Sequence, residues 1–460
     1  ATVPEEEGAT CRWVNGWWPV SWEDCQGLDQ TFHCVRFEHR LVKDLPESSA
    51  CNYRYRIDAP SLVVCETACT QENPRQDVSE VFKALAVKRL GFHLPASTAV
   101  KLAFVDPSFT ALTEIDLGGL PRVKHIGDNV FANMKSLLRV RASGPTAFES
   151  IGNSFCASCP KLRSVDFSSF NSVKTIGDSF LESSGISHFS ARGLSMVTRI
   201  GSNFLACCDG LCTVDFSGGF ARVENVGDSF LASSRSIYTV DFRSFSNLRE
   251  IGDECLAEAT AMTRVELVDL PCLKTIGQYF ANAAGELRSL RMANLPELSK
   301  IGDHFAMDSA NLEAIDVTAC PKLRTIGSFF LSGIGASSCD LSGLSAVTSV
   351  GDNWMCNNKH LSSFSGACLA SLKHVPKNFL SGCAKLRTFE SRGFSEVQSI
   401  GANFLSRCPS LSLATVDVAG FTSLRQYESD GLLDELDDVD AVLDTLERLR
   451  QASAKRPRKR

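Results

Sequence analysis

An Ile or Val followed by Gly returns at Ile126, Ile151, Ile176, Ile200, Val226, Ile251, Ile276, Ile301, Ile326, Val350, Val375 and Ile400, with Pro376 replacing the Gly once. The spacings run from 24 to 26 residues, so twelve units share one register. A fixed period of this size marks a stacked array, in which each unit buries its apolar face only against its neighbours. It also changes what the length of 460 residues means. Divided into ordinary domains of ~150 residues, the chain would hold about three; most of it is instead one array.

The clearest unit, residues 162–184, reads LRSVDFSSFNSVKTIGDSFLESS. Its L-x-x-V-x-F and V-x-x-I pieces suit two short strands whose apolar positions point inward while the residues between face solvent. After the Gly, Asp128, Asn153, Asp178, Ser202, Asp228, Asp253, Asp303, Ser328 and Asp352 suit helix N-caps, which predicts a single helical turn. An aromatic residue follows at Phe155, Phe180, Phe204, Phe230, Phe280, Phe305, Phe330, Trp354, Phe379 and Phe404, in ten of the twelve units. Stacked, these form a spine in which each buried ring contributes ~1.5–3 kcal/mol. That column explains much of an otherwise odd count of 29 Phe against 5 Tyr. The Gly column predicts a tight corner, but not a left-handed one, because Pro376 cannot take a positive φ.

The unit resembles the BspA-like subclass of leucine-rich repeats, whose pattern runs L-x-x-I-x-L, then L-x-x-I-G-x-x-A-F-x-x-C. The likeness covers roughly residues 105–427, with Phe or Trp at the Phe position and Cys159, Cys208, Cys383 and Cys408 at the Cys position. The units run near 25 residues, slightly longer than that pattern, and VDFS replaces its common Leu-Pro turn. The resemblance implies a curved solenoid that binds other macromolecules, often at a cell surface. The expected fold is an α/β solenoid. It is a leucine-rich-repeat array of about twelve units, each with two short strands and a helical turn, preceded by a small Cys-rich segment and closed by helical caps.

Caps are expected because an array must hide its terminal apolar faces. Residues 77–90 place Val78, Val81, Phe82, Leu85 and Ala86 on one helical face with Gly91 as a stop, so 77–104 is read as an N-terminal cap helix and linker. Residues 428–451 carry Leu432, Leu436, Val439, Leu443 and Leu446 at spacings of four and three, with Arg448 and Arg450 at the finish. This is an amphipathic helix oriented as the helix dipole favours. It caps the array or, as the sharper alternative, forms a weak coiled-coil dimer contact. Residues 452–460 end in KRPRKR, a solvated, disordered terminus or a polyanion-binding or nuclear-import tail.

Residues 1–76 differ in kind. They hold Cys11, Cys25, Cys34, Cys51, Cys65 and Cys69, and four of the five Trp: Trp13, Trp17, Trp18 and Trp22, around an Asn15-Gly16 turn. Small Cys-rich segments usually rely on cross-links, and six cysteines allow fifteen pairings. Zinc is the competing use, through His33, Cys34, Cys65 and Cys69, but paired Cys-x-x-Cys knuckles are missing from the sequence. The Trp cluster is read as a hairpin core ahead of a ligand-stacking site.

Enzymatic readings find little. The sequence contains no phosphate-binding Gly loop, zinc-protease helix, EF-hand or nucleophile elbow, so neither a catalytic residue nor a cofactor is expected. His125 and His374 occupy the same slot ten units apart and cannot share a site. The thirteen repeat cysteines fall at small core slots where Ser184, Ser234, Ala259 and Ser309 also stand, and are read as buried structural thiols. A net charge of −6 argues against general affinity for nucleic acid, and no apolar run is long enough for a membrane span.

A surface is the better candidate. The outward residue of the first strand reads Asp116, Arg141, Asp166, Ser190, Asp215, Asp241, Glu266, Arg291, Asp316, Asp340, Ser365, Glu390 and Asp417, nine of thirteen acidic. Like charges in register on strands ~4.8 Å apart repel one another unless something neutralises them. Internal arginines or backbone groups could do so; the sharper reading is a basic protein partner bound by Asp166, Asp215, Asp241, Glu266, Asp316 and Asp340. A second stripe, Lys124, Lys174, Arg249, Lys274, Arg324 and Lys373, precedes the Ile/Val of the second strand.

The function expected is therefore non-enzymatic binding, of a surface, adhesion or antigen type, with an intracellular scaffold or adaptor as the alternative. For location, the Cys-rich block and the resemblance favour a secreted or surface life over a cytoplasmic or nuclear one. The absence of any Asn-x-Ser/Thr sequon and the odd count of 19 Cys weigh the other way. The chain begins with Ala, which fits either a removed leader or a fragment.

Overall fold

The computed structural model describes the backbone of strands β1 (Trp17–Pro19), β2 (His33–Phe37), β3 (Ser61–Glu66) and β4 (Arg89–His93), and residues 111–118, 120–434 and 439–454. Two compact units divide the chain: Ala1–Gly210 with Asp215–Phe220, and Leu211–Val214 with Ala221–Arg460. Both are built from parallel β-solenoid turns with two short strands per turn.

In the first unit β5 (Glu114–Asp116) pairs in parallel with Arg139–Arg141, which pairs with Ser164–Val165. The second strands His125–Ile126, Ser150–Ile151, Thr175–Ile176 and Arg199–Ile200 form their own parallel ladder. In the second unit the same ladder runs from Asn225–Val226 to Ser349–Val350 and again from His374–Val375 to Gln426–Tyr427. Thirteen second strands are present among the described residues, one more than the sequence count, because Gln426–Tyr427 closes a turn in which Glu428 stands where Gly is usual. The inward positions are as the pattern requires: Leu162, Val173, Ile176, Leu273, Ile276, Leu298 and Ile301 are all buried.

The helical turn is not there. Where it was expected, residues alternate between right- and left-handed conformations: Ser154, Cys156 and Ser158 have φ of 57°, 51° and 55°, and Glu254, Leu256 and Glu258 have 59°, 60° and 54°. Left-handed backbone costs roughly 1–2 kcal/mol per non-Gly residue, so each turn must recover this elsewhere. It does so through inter-turn hydrogen bonds. The amides of Ser154 and Ser158 donate to the carbonyls of Asp178 and Glu182 in the next turn, both at 2.7 Å, and Cys156 donates to Val130 in the preceding turn at 3.0 Å. The presumed N-caps serve the same ladder. Asp128 Oδ1 accepts the Asn153 amide at 2.7 Å, Asp178 that of Ser202 at 2.8 Å, and Asp253 that of Gln278 at 2.8 Å. Each carboxylate caps the next turn, about 25 residues on, rather than a helix of its own.

The aromatic spine is observed within each unit. Phe155, Phe180 and Phe204 stack at centroid distances of 5.7 and 5.2 Å. In the second unit Phe280, Phe305, Phe330, Trp354, Phe379 and Phe404 continue the pattern at 5.0 to 6.1 Å. Val130 and the fully buried Cys255 take the slot in the two units that lack a ring. The Gly column follows from close approach and not from chirality. A Cβ on Gly277 would lie 2.5 Å from the Gly252 carbonyl carbon and 2.5 Å from Asp253 Oδ1.

The ends differ from expectation. Of the proposed N-terminal helix, residues 77–88 lie outside the described residues, whereas Arg89 and Leu90 begin β4. That strand continues the first-strand sheet, pairing in parallel with β5 and with β3, which pairs antiparallel with β2, and β2 with β1. Cys11, Cys25, Cys51, Cys69, Trp13 and Trp22 lie outside the described residues. At the C-terminus residues 430–434 are a further repeat turn, with Gly431 and Leu433 left-handed and Leu432 filling the aromatic slot. The single α-helix among the described residues, α1 (Val439–Ala454), begins later than expected. It buries Val442 and Leu446, and Ser453 Oγ donates to the Leu424 carbonyl of the last turn. Leu436 and residues 455–460 are outside the described set.

Candidate binding surface

The first strands place the outward acidic residues in rows. In the second unit Asp241 stands opposite Glu266, Glu266 opposite Arg291, Arg291 opposite Asp316, and Asp316 is bridged to Asp340. The first unit carries Asp116 opposite Arg141, and also Asp166 and Asp215. Alternation along each strand is the cause: Val140, Val240 and Val265 point into the core, so their C-terminal neighbours point out.

Most of these aspartates have a local task. Asp166 Oδ1 accepts the Ser168 amide at 2.9 Å, Asp215 that of Ser217 at 2.9 Å, Asp241 that of Arg243 at 2.9 Å, and Asp340 that of Ser342 at 3.0 Å. Asp116 and Asp417 do the same to Gly118 and Ala419. This is the short side chain's preferred way to close a turn two residues on. The V-D-x-S spacing carried that signal.

Four members of the row are also neutralised, Asp116 by Arg141 with Nε 3.3 Å from Oδ2 and three others in the second unit. Arg243 grips Asp241, with Nη2 2.9 Å from Oδ2, and its guanidinium holds the Asp241 carboxyl below its ordinary range. Arg264 pairs with Glu266, and Arg291 Nε lies 3.0 Å from Asp316 Oδ2. Arg243 stands two residues after the outward position, where Ser168 and Ser217 stand in other turns and Arg192 and Arg392 in two more. By contrast Asp166, Asp215 and Asp340 form no ion pair among the described residues, and all three are exposed. One oxygen of each is held by the turn, while the charge remains directed to solvent.

The basic stripe is exposed throughout and likewise partly self-paired. Glu149 sits between Lys124 and Lys174, each Nζ 2.9 Å from one carboxylate oxygen, and these bonds lower it to about 2. Arg249 pairs with Glu224 at 3.3 Å. His125 and His374 hold equivalent exposed positions, each with Nδ1 2.8 Å from a serine Oγ of the following turn.

The repeat cysteines differ in burial. Eight of the thirteen are buried; Cys212, Cys272, Cys339 and Cys368 are half-buried and Cys207 is exposed, so burial is less uniform than expected. Burial raises Cys159 to about 12 and Cys208 to about 11, far from the thiolate a nucleophile needs. Among the described residues no group of three or more His, Cys, Asp or Glu is placed to hold a metal ion, and no helix is long and apolar enough to cross a membrane.

Known proteins bear on this architecture. No curated protein matches the chain. Among solved structures it is similar to a leucine-rich repeat protein from Bacteroides ovatus, with 16% identity over 86% of this chain and 91% of that one, at a TM-score of 0.44. A leucine rich cell surface protein from Faecalibacterium prausnitzii matches at 16% identity over 86% and 97% of the two chains, at a TM-score of 0.34. The BspA type leucine rich repeat region, in six copies, matches residues 104–225, 193–313 and 274–412, well over half of the sequence. With the ladders, the spine and the Gly column in the places that pattern requires, the chain belongs to the BspA-type leucine-rich repeat family.

Proposed function

We propose that this protein is a non-enzymatic binding protein of a surface, secreted or antigen type, and that it engages a protein partner presenting basic groups to the outward first-strand face. One observation carries the reading: Asp166 and Asp215 in the first unit and Asp340 in the second keep exposed charge, while Asp116, Asp241, Glu266 and Asp316 are each matched by an arginine. Exposed charges of this kind steer association and set specificity more than they add affinity. The matched family is a repeat region and not a catalytic one, and the high thiol pKa values fit that reading. The six N-terminal cysteines support an oxidising location. An intracellular adaptor is the second reading, supported by the basic KRPRKR end. Replacing Asp166, Asp215 and Asp340 with Asn, which keeps the oxygen that closes each turn, should weaken capture of a basic peptide while the thermal melt stays intact. Undiminished capture would refute the proposed face.

A further inference from the structure

The topology makes one specific choice among the N-terminal cysteines. Strand β2 runs antiparallel to β3 in an unbroken five-residue register, in which His33 stands opposite Glu66, Val35 opposite Val64 and Cys34 opposite Cys65. Directly opposed residues on neighbouring antiparallel strands share a face of the sheet, with Cα atoms about 4.5 or 5.5 Å apart according to the hydrogen-bonding site. Both values fall inside the span that a disulfide bridges, roughly 4.4–6.8 Å. Each of the two strands contains one cysteine, so this register offers no competing partner within the pair.

We propose that Cys34 and Cys65 are joined by a disulfide that fastens β2 to β3. The assignment is independent of the binding reading above. It also leaves Cys11, Cys25, Cys51 and Cys69 to pair among themselves, reducing fifteen arrangements to three. In forming the bond, one thiolate attacks a small-molecule disulfide such as oxidised glutathione, giving a mixed disulfide and releasing a thiol. The second cysteine then displaces the other glutathione. Two protein thiols thus lose two electrons and two protons, and the oxidant becomes two thiols. The rival chemistry is zinc, because β3 also pairs in parallel with β4 and sets His93 opposite Cys65 on its far side. A Cys34, Cys65 and His93 ligand set would span two strand spacings, whereas the disulfide needs only one.

The test uses the full chain, equilibrated in a glutathione redox buffer, quenched in acid, alkylated and digested without reduction. Cleavage before Asp29 and after Arg36 isolates Cys34 from Cys25, and cleavage before Asp58 and after Glu66 isolates Cys65 from Cys69. The expected product is the 29–36 peptide linked to the 58–66 peptide. In a Cys34→Ser chain, Cys65 should become the one newly alkylated cysteine. Linkage of either residue to another cysteine would overturn the proposal. So would alkylation of both in the folded wild-type chain, or one retained zinc ion per chain that is lost in Cys65→Ser.

Discussion

The thiol of Cys208 lies 3.1 Å from the carbonyl oxygen of Leu181, one turn back, and donates to it inside a fully buried slot. The same bond recurs from Cys159 to Phe131, from Cys383 to Met355 and from Cys408 to Leu380. Ser309 Oγ makes it to Ala281 at 3.2 Å, and Asn358 Nδ2 makes it to Leu331 at 2.9 Å. The slot thus lets a small buried donor reach a carbonyl one turn back, which at Leu181 also accepts the Ser184 amide at 3.3 Å, while Ala259 fills the slot in another turn with no side-chain donor. Cys, Ser and Asn interchange there as donors.

Asn358 is the most committed of these plugs, because its Oδ1 also accepts the Ile334 amide at 2.8 Å. Asn358→Ala strands two buried backbone groups and should cost on the order of 3 kcal/mol in a denaturant melt. Cys208→Ser keeps a donor and should cost less than Cys208→Ala, for which about 1–2 kcal/mol is expected.

Close packing of the Gly column gives a second contrast. Gly277→Ala drives a methyl into the Gly252 backbone and should destabilise by about 1–3 kcal/mol. Gly285→Ala meets nothing within 4 Å and needs no positive φ, so it should be neutral or stabilising by up to about 1 kcal/mol. Thermal melts of the two variants separate close approach from a general need for Gly.

The alternating turn makes a conformational prediction at Ser158, which is exposed with φ of 55°. Ser158→Gly should raise stability by about 0.5–1 kcal/mol, the relief of left-handed strain less the added freedom of the unfolded chain. Ser158→Val should lower it, because a β-branched residue resists this region. Equal melts for the two would show that the turn is not left-handed there.

Sequence and structure agree wherever a residue type has one physical use. Leu162, Val173 and Ile176 can only go inward, and the Phe column can only stack, so strands, period and spine were legible. Asp178 was misread because a carboxylate after Gly looks the same whether it caps its own helix or the Ser202 amide one turn ahead. The alternating turn was not legible at all: Leu256 and Cys156 at positive φ contradict their own preferences, and only inter-turn hydrogen bonds permit them. On the candidate surface, the acidic row is visible in the sequence itself. The turn-closing role of Asp166 and the Arg243 clamp on Asp241 needed the geometry, although their i+2 spacing was visible.

Glu149 supplies a pH prediction. Its hydrogen bonds to Lys174 and Lys124 lower it from the ordinary carboxylate value to about 2. A lowered carboxylate stabilises the fold above its unfolded value of about 4.3, and this contribution is lost as pH falls through about 2. A side-chain carboxyl NMR titration should find Glu149 ionised at pH 3. Lys174→Ala should move its midpoint upward, and added salt should do the same because the group is exposed.

In the proposed binding mode a partner reads the charge on the outward strand face and not the turn it helps to close. Asp166→Asn, Asp215→Asn and Asp340→Asn combined keep the oxygen that accepts the Ser168, Ser217 and Ser342 amides but remove the charge. Titration of an arginine-rich peptide against the wild-type and triple-variant chains at low salt, paired with thermal melts, tests this directly. Unchanged melting and an affinity at least tenfold weaker in the variant are expected; equal affinities with equal melts would rule out the proposed face.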